Sequence, residues 1–206
     1  MMERIGIYKW IAFLVIFLFL SPPSQGQTKD NYLIYLSSKS TLGNYLGGGI
    51  TLDVIRNNKY SLGIGFYEQE KKPGNLPSDY ELGVFSLFTF GLGGVRDNIQ
   101  TASFTLGKVL YNKSNPRIRY NIKAGFTYSV VKRPTNWVWH NDGILSTENY
   151  TYDYDKNHVI GILINPTIDF PLLKFLGFST GPYVFMNQKT ISYGIELTTL
   201  IGYVRK

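Results

Sequence analysis

Residues 117–131 read RIRYNIKAGFTYSVV, and they alternate almost without a break. Ile118, Tyr120, Ile122, Ala124, Phe126, Tyr128 and Val130 fall on one face. Arg117, Arg119, Asn121, Lys123, Gly125, Thr127 and Ser129 fall on the other, and only Val131 breaks that second set. A period of two marks a β-strand whose faces meet different surroundings. One face is wholly apolar and carries tyrosines near its ends; the other carries three cations. A strand with lipid on one side and a polar lumen on the other has this pattern.

The rest of the chain extends the theme. The sequence has 206 residues, enough for one domain. After the N-terminus no run approaches the roughly 18 consecutive apolar residues of a spanning helix, so any membrane crossing must be made by strands. Glycine (21) and tyrosine (16) are both abundant. Glycine suits crowded barrel interiors and turns; tyrosine suits a membrane interface, with its ring in lipid and its hydroxyl in water. The absence of cysteine excludes a disulfide scaffold, a thiolate metal site and an acylated lipoprotein anchor.

The first 26 residues have the form of a secretory signal. Arg4 and Lys9 precede an apolar stretch, Trp10 to Leu20, which Ser21-Pro22-Pro23 ends. Ser24 and Gly26 then place small residues before a cut ahead of Gln27. Cleavage there takes the formal charge from +7 to +6, through loss of Glu3, Arg4 and Lys9. For an exported basic protein, anionic lipid headgroups are nearer partners than nucleic acid, which is not expected.

Residues 27–42 are polar apart from Tyr32 to Leu36, and they are expected to be a lead-in, or a pairing extension of the first strand. From 43 onward, alternating segments and turn signals follow one another. The expected strands are 44–55, 60–69, 80–92, 99–110, 117–131, 158–170, 177–187 and 190–204. The segment 80–92 is the weakest, because Phe85 and Leu87 interrupt its polar face. Eight is an even count, as a closed antiparallel barrel requires. The glycines Gly47, Gly49, Gly63, Gly65, Gly125, Gly194 and Gly202 share the polar face, which makes that face the crowded interior. Tyr193 and Tyr203 lie ten residues apart, about 34 Å along a strand and roughly 26 Å when tilted, close to the height of a barrel's apolar band. With the N-terminus on the inner side, the longest connection, 132–156, faces outward, as the barrel rule asks. The turn at 71–79 is long for the inner side.

The signal segment followed by eight Tyr- and Gly-rich strands resembles the small outer-membrane barrels of OmpA/OmpX architecture. The stretches YLGGGITLDVI, ENYTYDYDKN and LINPTIDFP are similar to those of an uncharacterised group of Gram-negative outer-membrane β-barrel proteins. The resemblance implies an all-β, eight-stranded, antiparallel up-and-down transmembrane barrel over 43–206. It carries no functional motif.

Two constellations remain as candidate sites. Asp53, Arg117, Arg119, Lys123, Asp169 and Glu196 point into a lumen that is only wide enough to be filled by side chains. Charges buried there must pair, so a structural plug is expected rather than an ion path. The segment 132–156 gathers Trp137, Trp139, Tyr150, Tyr152 and Tyr154 among Asp142, Glu148, Asp153 and Asp155. Aromatic residues on an outer loop can stack on a glycan or seat a protein partner, unless they pack on one another over the barrel mouth. Asp153, Asp155 and Glu148 lack Ca²⁺-loop spacing, so neither metal nor cofactor is expected. His140 and His158 are the only histidines, with no serine at a catalytic spacing, so no enzyme is expected. A lipid-modifying enzyme is one alternative; a soluble, lipocalin-like barrel with its apolar face inward is another. The expected assembly is a monomer in lipid.

Overall fold

In the computed structural model the described residues are 31–81, 94–111, 118–140 and 148–205. They form eight strands: β1 Tyr32–Gly43, β2 Leu46–Arg56, β3 Tyr60–Lys71, β4 Asp97–Tyr111, β5 Arg119–Trp139, β6 Tyr150–Phe170, β7 Leu176–Asn187 and β8 Ile191–Tyr203. Each is antiparallel to its neighbour in sequence, and β1 closes the barrel on β8. A line of register partners runs Ile34, Val54, Leu62, Leu106, Ala124, Ile164, Val184, Tyr193. It comes back to the start of the sheet at Asn44, whose N–H donates to the Tyr193 carbonyl, ten residues beyond Ile34. That stagger tilts the strands across the barrel and brings the two edges together.

Two sequence expectations change. The lead-in is, from Tyr32, the first strand. Its alternation is hidden because both faces are mixed: Ser38 and Ser40 lie on the outward face, while Leu33 and Tyr35 are buried inside. The expected strand at 80–92 lies outside the described residues except for Tyr80 and Glu81, which belong to no strand. β3 therefore connects to β4 through 72–96. This places the 71–79 segment at the same end as His140 and Asn149, which close the β5–β6 hairpin, and removes the difficulty of a long inner turn. That end is taken as the outer one. The short connections 57–59 and 171–175, with the strand ends nearest the termini, lie at the inner end.

Local chemistry explains the turns. Asn57 and Asn58 both have positive φ (54° and 56°), and Lys59 N–H donates to the Arg56 carbonyl. Positive φ at both central residues is the mirror-image form of the turn, whose twist matches that of paired strands, and with Lys59 it makes the three-residue connection between the partners Arg56 and Tyr60. Gly125 faces inward, where a Cβ would strike the Phe104 carbonyl of β4, so the close approach of β4 and β5 requires glycine there.

The polarity of the barrel is decided all round. Leu52, Ile64, Leu106, Ile122, Ile164 and Ile195 are exposed on the outside. Tyr32, Tyr60, Tyr120 and Tyr203 border that belt toward the inner end, and Tyr128 and Tyr193 toward the outer. Inside, Lys39, Asp53, Arg119, Lys123, Asp169 and Glu196 are buried. The lipocalin-like alternative needs the opposite arrangement and is overturned by this one. An apolar belt between tyrosine borders is the surface a bilayer wets.

Candidate functional site

Alternation on five strands carries charged side chains into the lumen, and the register brings them together in three pairs. Arg119 Nε donates to Asp169 Oδ2 at 2.8 Å, and Arg119 Nη1 to the Val204 carbonyl at 2.8 Å, holding the end of the chain against the inner mouth. The guanidinium also lies 5.2 Å from the Tyr35 ring centroid. The other oxygen of Asp169 accepts from Thr167 and Ser179, at 2.9 and 2.7 Å. Lys123 Nζ donates to Asp53 Oδ1 at 3.2 Å, and Ser37 Oγ to Asp53 Oδ2 at 2.6 Å. Lys39 Nζ sits 2.9 Å from Glu196 Oε1 and donates to Tyr67 Oη at 3.1 Å. Lys39 completes the third pair and was missed by sequence reading because it lies in the supposed lead-in. The expected member Arg117 lies outside the described residues.

Each of these carboxylates meets a cation and at least one hydroxyl, which is how charge is tolerated away from water. Above and below this polar layer the lumen closes on apolar side chains. Tyr45, Tyr67, Ile99, Val131, Tyr183 and Phe185 cluster toward the outer end. Leu33, Tyr35, Ile55, Val109, Leu200 and Val204 cluster toward the inner. Between Thr41, Gln69, Thr127, Tyr183 and Glu196 lies a cavity of about 20 Å³, room for a single water.

The second constellation is not the loop that was expected. β5 and β6 continue past the barrel as a paired hairpin, with Pro134 opposite Tyr154, Thr135 opposite Asp153 and Trp139 opposite Tyr150. A one-residue bulge between Thr135 and Val138 accompanies the positive φ of Asn136 (54°). Trp137 packs among Tyr80, Tyr150 and Tyr152, with ring centroids 5.9, 6.2 and 5.2 Å away, and Tyr152 continues to Tyr154 at 5.5 Å. Tyr80 comes from the β3–β4 connection, and sequence spacing alone gave no sign of it. Further bonds tie that connection to the hairpin: Tyr150 Oη donates to Asp79 Oδ1 at 2.7 Å, Asn149 Nδ2 to the Asp79 carbonyl at 2.7 Å, and Asn75 Nδ2 to the Pro134 carbonyl at 2.8 Å. Four of the five aromatic residues thus pack on one another, and Trp139 stands apart, 57% exposed beside Val138 at 60%. Asp142 lies outside the described residues.

Glu148 is bound into this cluster. Partial burial pushes its carboxyl above the usual range, while hydrogen bonds from the Tyr80 and Tyr152 hydroxyls pull it back down. The net direction is upward, so the folded hairpin holds a proton more tightly than the unfolded one.

Together these features define a class: a transmembrane β-barrel of eight strands, of the outer-membrane type, with a filled lumen and one raised hairpin. Solved structures of that type superpose on it. A major outer membrane protein of Thermus thermophilus matches with a TM-score of 0.60 at 9% identity, over 83% of this chain and 99% of that one. The N-terminal β-barrel domain of Pseudomonas aeruginosa OprF matches with a TM-score of 0.52 at 6% identity, over 84% of this chain and 98% of that one. At such identities the likeness is one of fold. No protein-family model matches the chain, and no curated protein does.

The lumen pairings and the hairpin cluster can each be tested by substitution. Asp53→Ala strands Lys123 without its carboxylate and lowers the unfolding free energy by about 3–5 kcal/mol. Asp53→Leu/Lys123→Met recovers most of that loss, both being read by urea unfolding in lipid vesicles. For Glu148, a raised folded pKa means that stabilisation is present at low pH and fades as pH rises from the ordinary glutamate range through the raised value. In a Trp139→Phe background, Trp137 fluorescence reports a hairpin that loosens over that window. Glu148→Gln keeps an acceptor for both tyrosines and abolishes the pH response.

Proposed function

We propose that this protein resides in the outer membrane as a non-conducting barrel, and that its β5–β6 hairpin is a surface recognition element. In this reading residues 1–26 are the export signal. The observation that carries it is Trp139 with Val138: two large apolar side chains left exposed on a hairpin that is itself anchored. An exposed loop aromatic is usually mobile, and ordering it costs affinity on binding. Here strand pairing and the Trp137 cluster already hold the backbone, so that cost is met before a partner arrives. An exposed indole face on a hairpin that also carries polar groups such as Asn136 and Asp153, which hydrogen-bond to each other at 3.1 Å, suits stacking on a sugar ring. A glycan at the cell surface is therefore the favoured partner class.

The lumen supports the non-conducting half of the reading. Three paired ions lie between two apolar clusters, and a permeating ion would have to break both kinds of packing. In planar bilayers the purified protein is expected to give no steady, selective current.

The recognition half is tested with proteoliposomes carrying the full protein on printed arrays of surface glycans and of purified extracellular proteins. Retention on one class of glycan is expected, reduced at least tenfold by Val138→Thr/Trp139→Ser. Retention of that variant at the wild-type level would remove the hairpin from the reading. Retention on proteins alone would replace the glycan with a protein partner.

A further inference from the structure

On the outward face, just beyond the tyrosine border, Lys132 of β5 and Lys156 of β6 are direct register partners. Side chains so placed begin about 4.5–5.5 Å apart, and like charges there repel. A barrel is free to put an acid opposite a lysine, and this one does so one residue away from the row of partners that holds these two, where Lys71 faces Asp97. That row runs Glu70, Asn98, Lys132, Lys156. Its acidic end is already engaged: Glu70 lies 3.7 Å from Arg96 and accepts from Asn98 at 3.3 Å. Glu68, one step nearer the membrane, accepts from Asn98 at 2.9 Å and Gln100 at 3.0 Å. Its field reaches Lys132, but neither lysine has a carboxylate within 4.0 Å among the described residues. Asp155, next to Lys156, points to the opposite face by alternation and accepts from Asn157.

What lies beneath the two lysines identifies what they face. One step down the same two strands is His158, whose Nδ1 is hydrogen-bonded to Tyr128 Oη at 2.8 Å. Below those are Ile160 and Phe126, 71% and 69% exposed. A column that runs from two cations, through a hydrogen-bonding tyrosine and histidine, to bare hydrocarbon has the polarity of one lipid molecule. The cations meet the headgroup, and the apolar pair meets the chains.

We infer that Lys132 and Lys156 form a binding site for a phosphorylated lipid headgroup of the outer leaflet, with Tyr128 and His158 at its base and Phe126 and Ile160 along its acyl chains. The inference rests on the reading that this end of the barrel faces outward in the outer membrane; it does not use the Trp139 hairpin tip. One phosphate between the two ammonium groups converts a repulsive cross-strand pair into two charge-assisted hydrogen bonds. The site also ties the base of the hairpin to the leaflet it rises from.

The full chain is reconstituted into phosphatidylcholine bilayers doped with diphosphoryl lipid A and extracted in mild detergent, and retained lipid is counted by native mass spectrometry. Diphosphoryl lipid A is expected to stay bound in preference to phosphatidylcholine and to dephosphorylated lipid A. Lys132→Gln/Lys156→Gln is expected to lower its retention roughly thirtyfold, the effect of two lysines at an anionic surface. Lys132→Arg/Lys156→Arg keeps it, and so does Lys108→Gln/Lys174→Gln, which changes cations toward the inner end. Equal retention by the glutamine variant, or no preference for the phosphorylated lipid, overturns the site. Binding of inorganic phosphate alone at the lysines with similar affinity overturns its assignment to lipid. A circular-dichroism check of barrel insertion, made on every variant, separates loss of the site from loss of the membrane reading itself.

Discussion

The constraint on which the rest depends is that a backbone in hydrocarbon has no water to bond with. Every N–H and C=O in the belt must find its partner inside the protein. For a chain of strands the only complete solution is to close the sheet. Here β1 meets β8 from Ile34 to Gly43, and the ten-residue stagger of the register permits it. Once closed, the barrel has an interior too narrow to leave empty. Its glycines follow from that crowding, as at Gly125, where the neighbouring carbonyl leaves no space for a Cβ.

Closure also determines what the interior must contain. Alternation sends every second residue inward, so polar side chains reach the lumen whether or not water does. Pairing is then obligatory. Lys39 with Glu196, Lys123 with Asp53 and Arg119 with Asp169 bring three positive and three negative charges together. The pairs contribute little net stability compared with an apolar filling, but each is costly to break singly. They set the register, because a one-residue slip of any strand that carries them would turn its charges out into lipid and leave their partners unpaired.

Beyond the membrane the same two strands behave differently. Water can satisfy the backbone there, so the β5–β6 hairpin needs another reason to stay ordered. It has one in the ring cluster around Trp137 and in the bonds to Asp79 and Asn75 from the β3–β4 connection. This small outer core is separate from the lumen, and it leaves Trp139 and the lysines at the hairpin base facing outward.

Strand identity was legible wherever one face was uniformly apolar, as in 117–131 and 190–204, because lipid imposes a single requirement along a whole strand. It was not legible in 32–43, where Ser38 and Ser40 look outward and Leu33 and Tyr35 close the inner mouth. There the two environments exchange their usual residues along one strand. By itself the sequence determined the class of structure, the polarity of its faces and the inward side of Asp53, Arg119, Lys123, Asp169 and Glu196, since these depend only on a period of two and on the chemistry of lipid. Tertiary structure alone decided which charges meet, that Lys39 belongs among them, that Tyr80 joins the hairpin and that Lys132 stands opposite Lys156. Those pairings depend on register between strands up to 157 residues apart in the chain, as Lys39 is from Glu196, and no local pattern encodes that register.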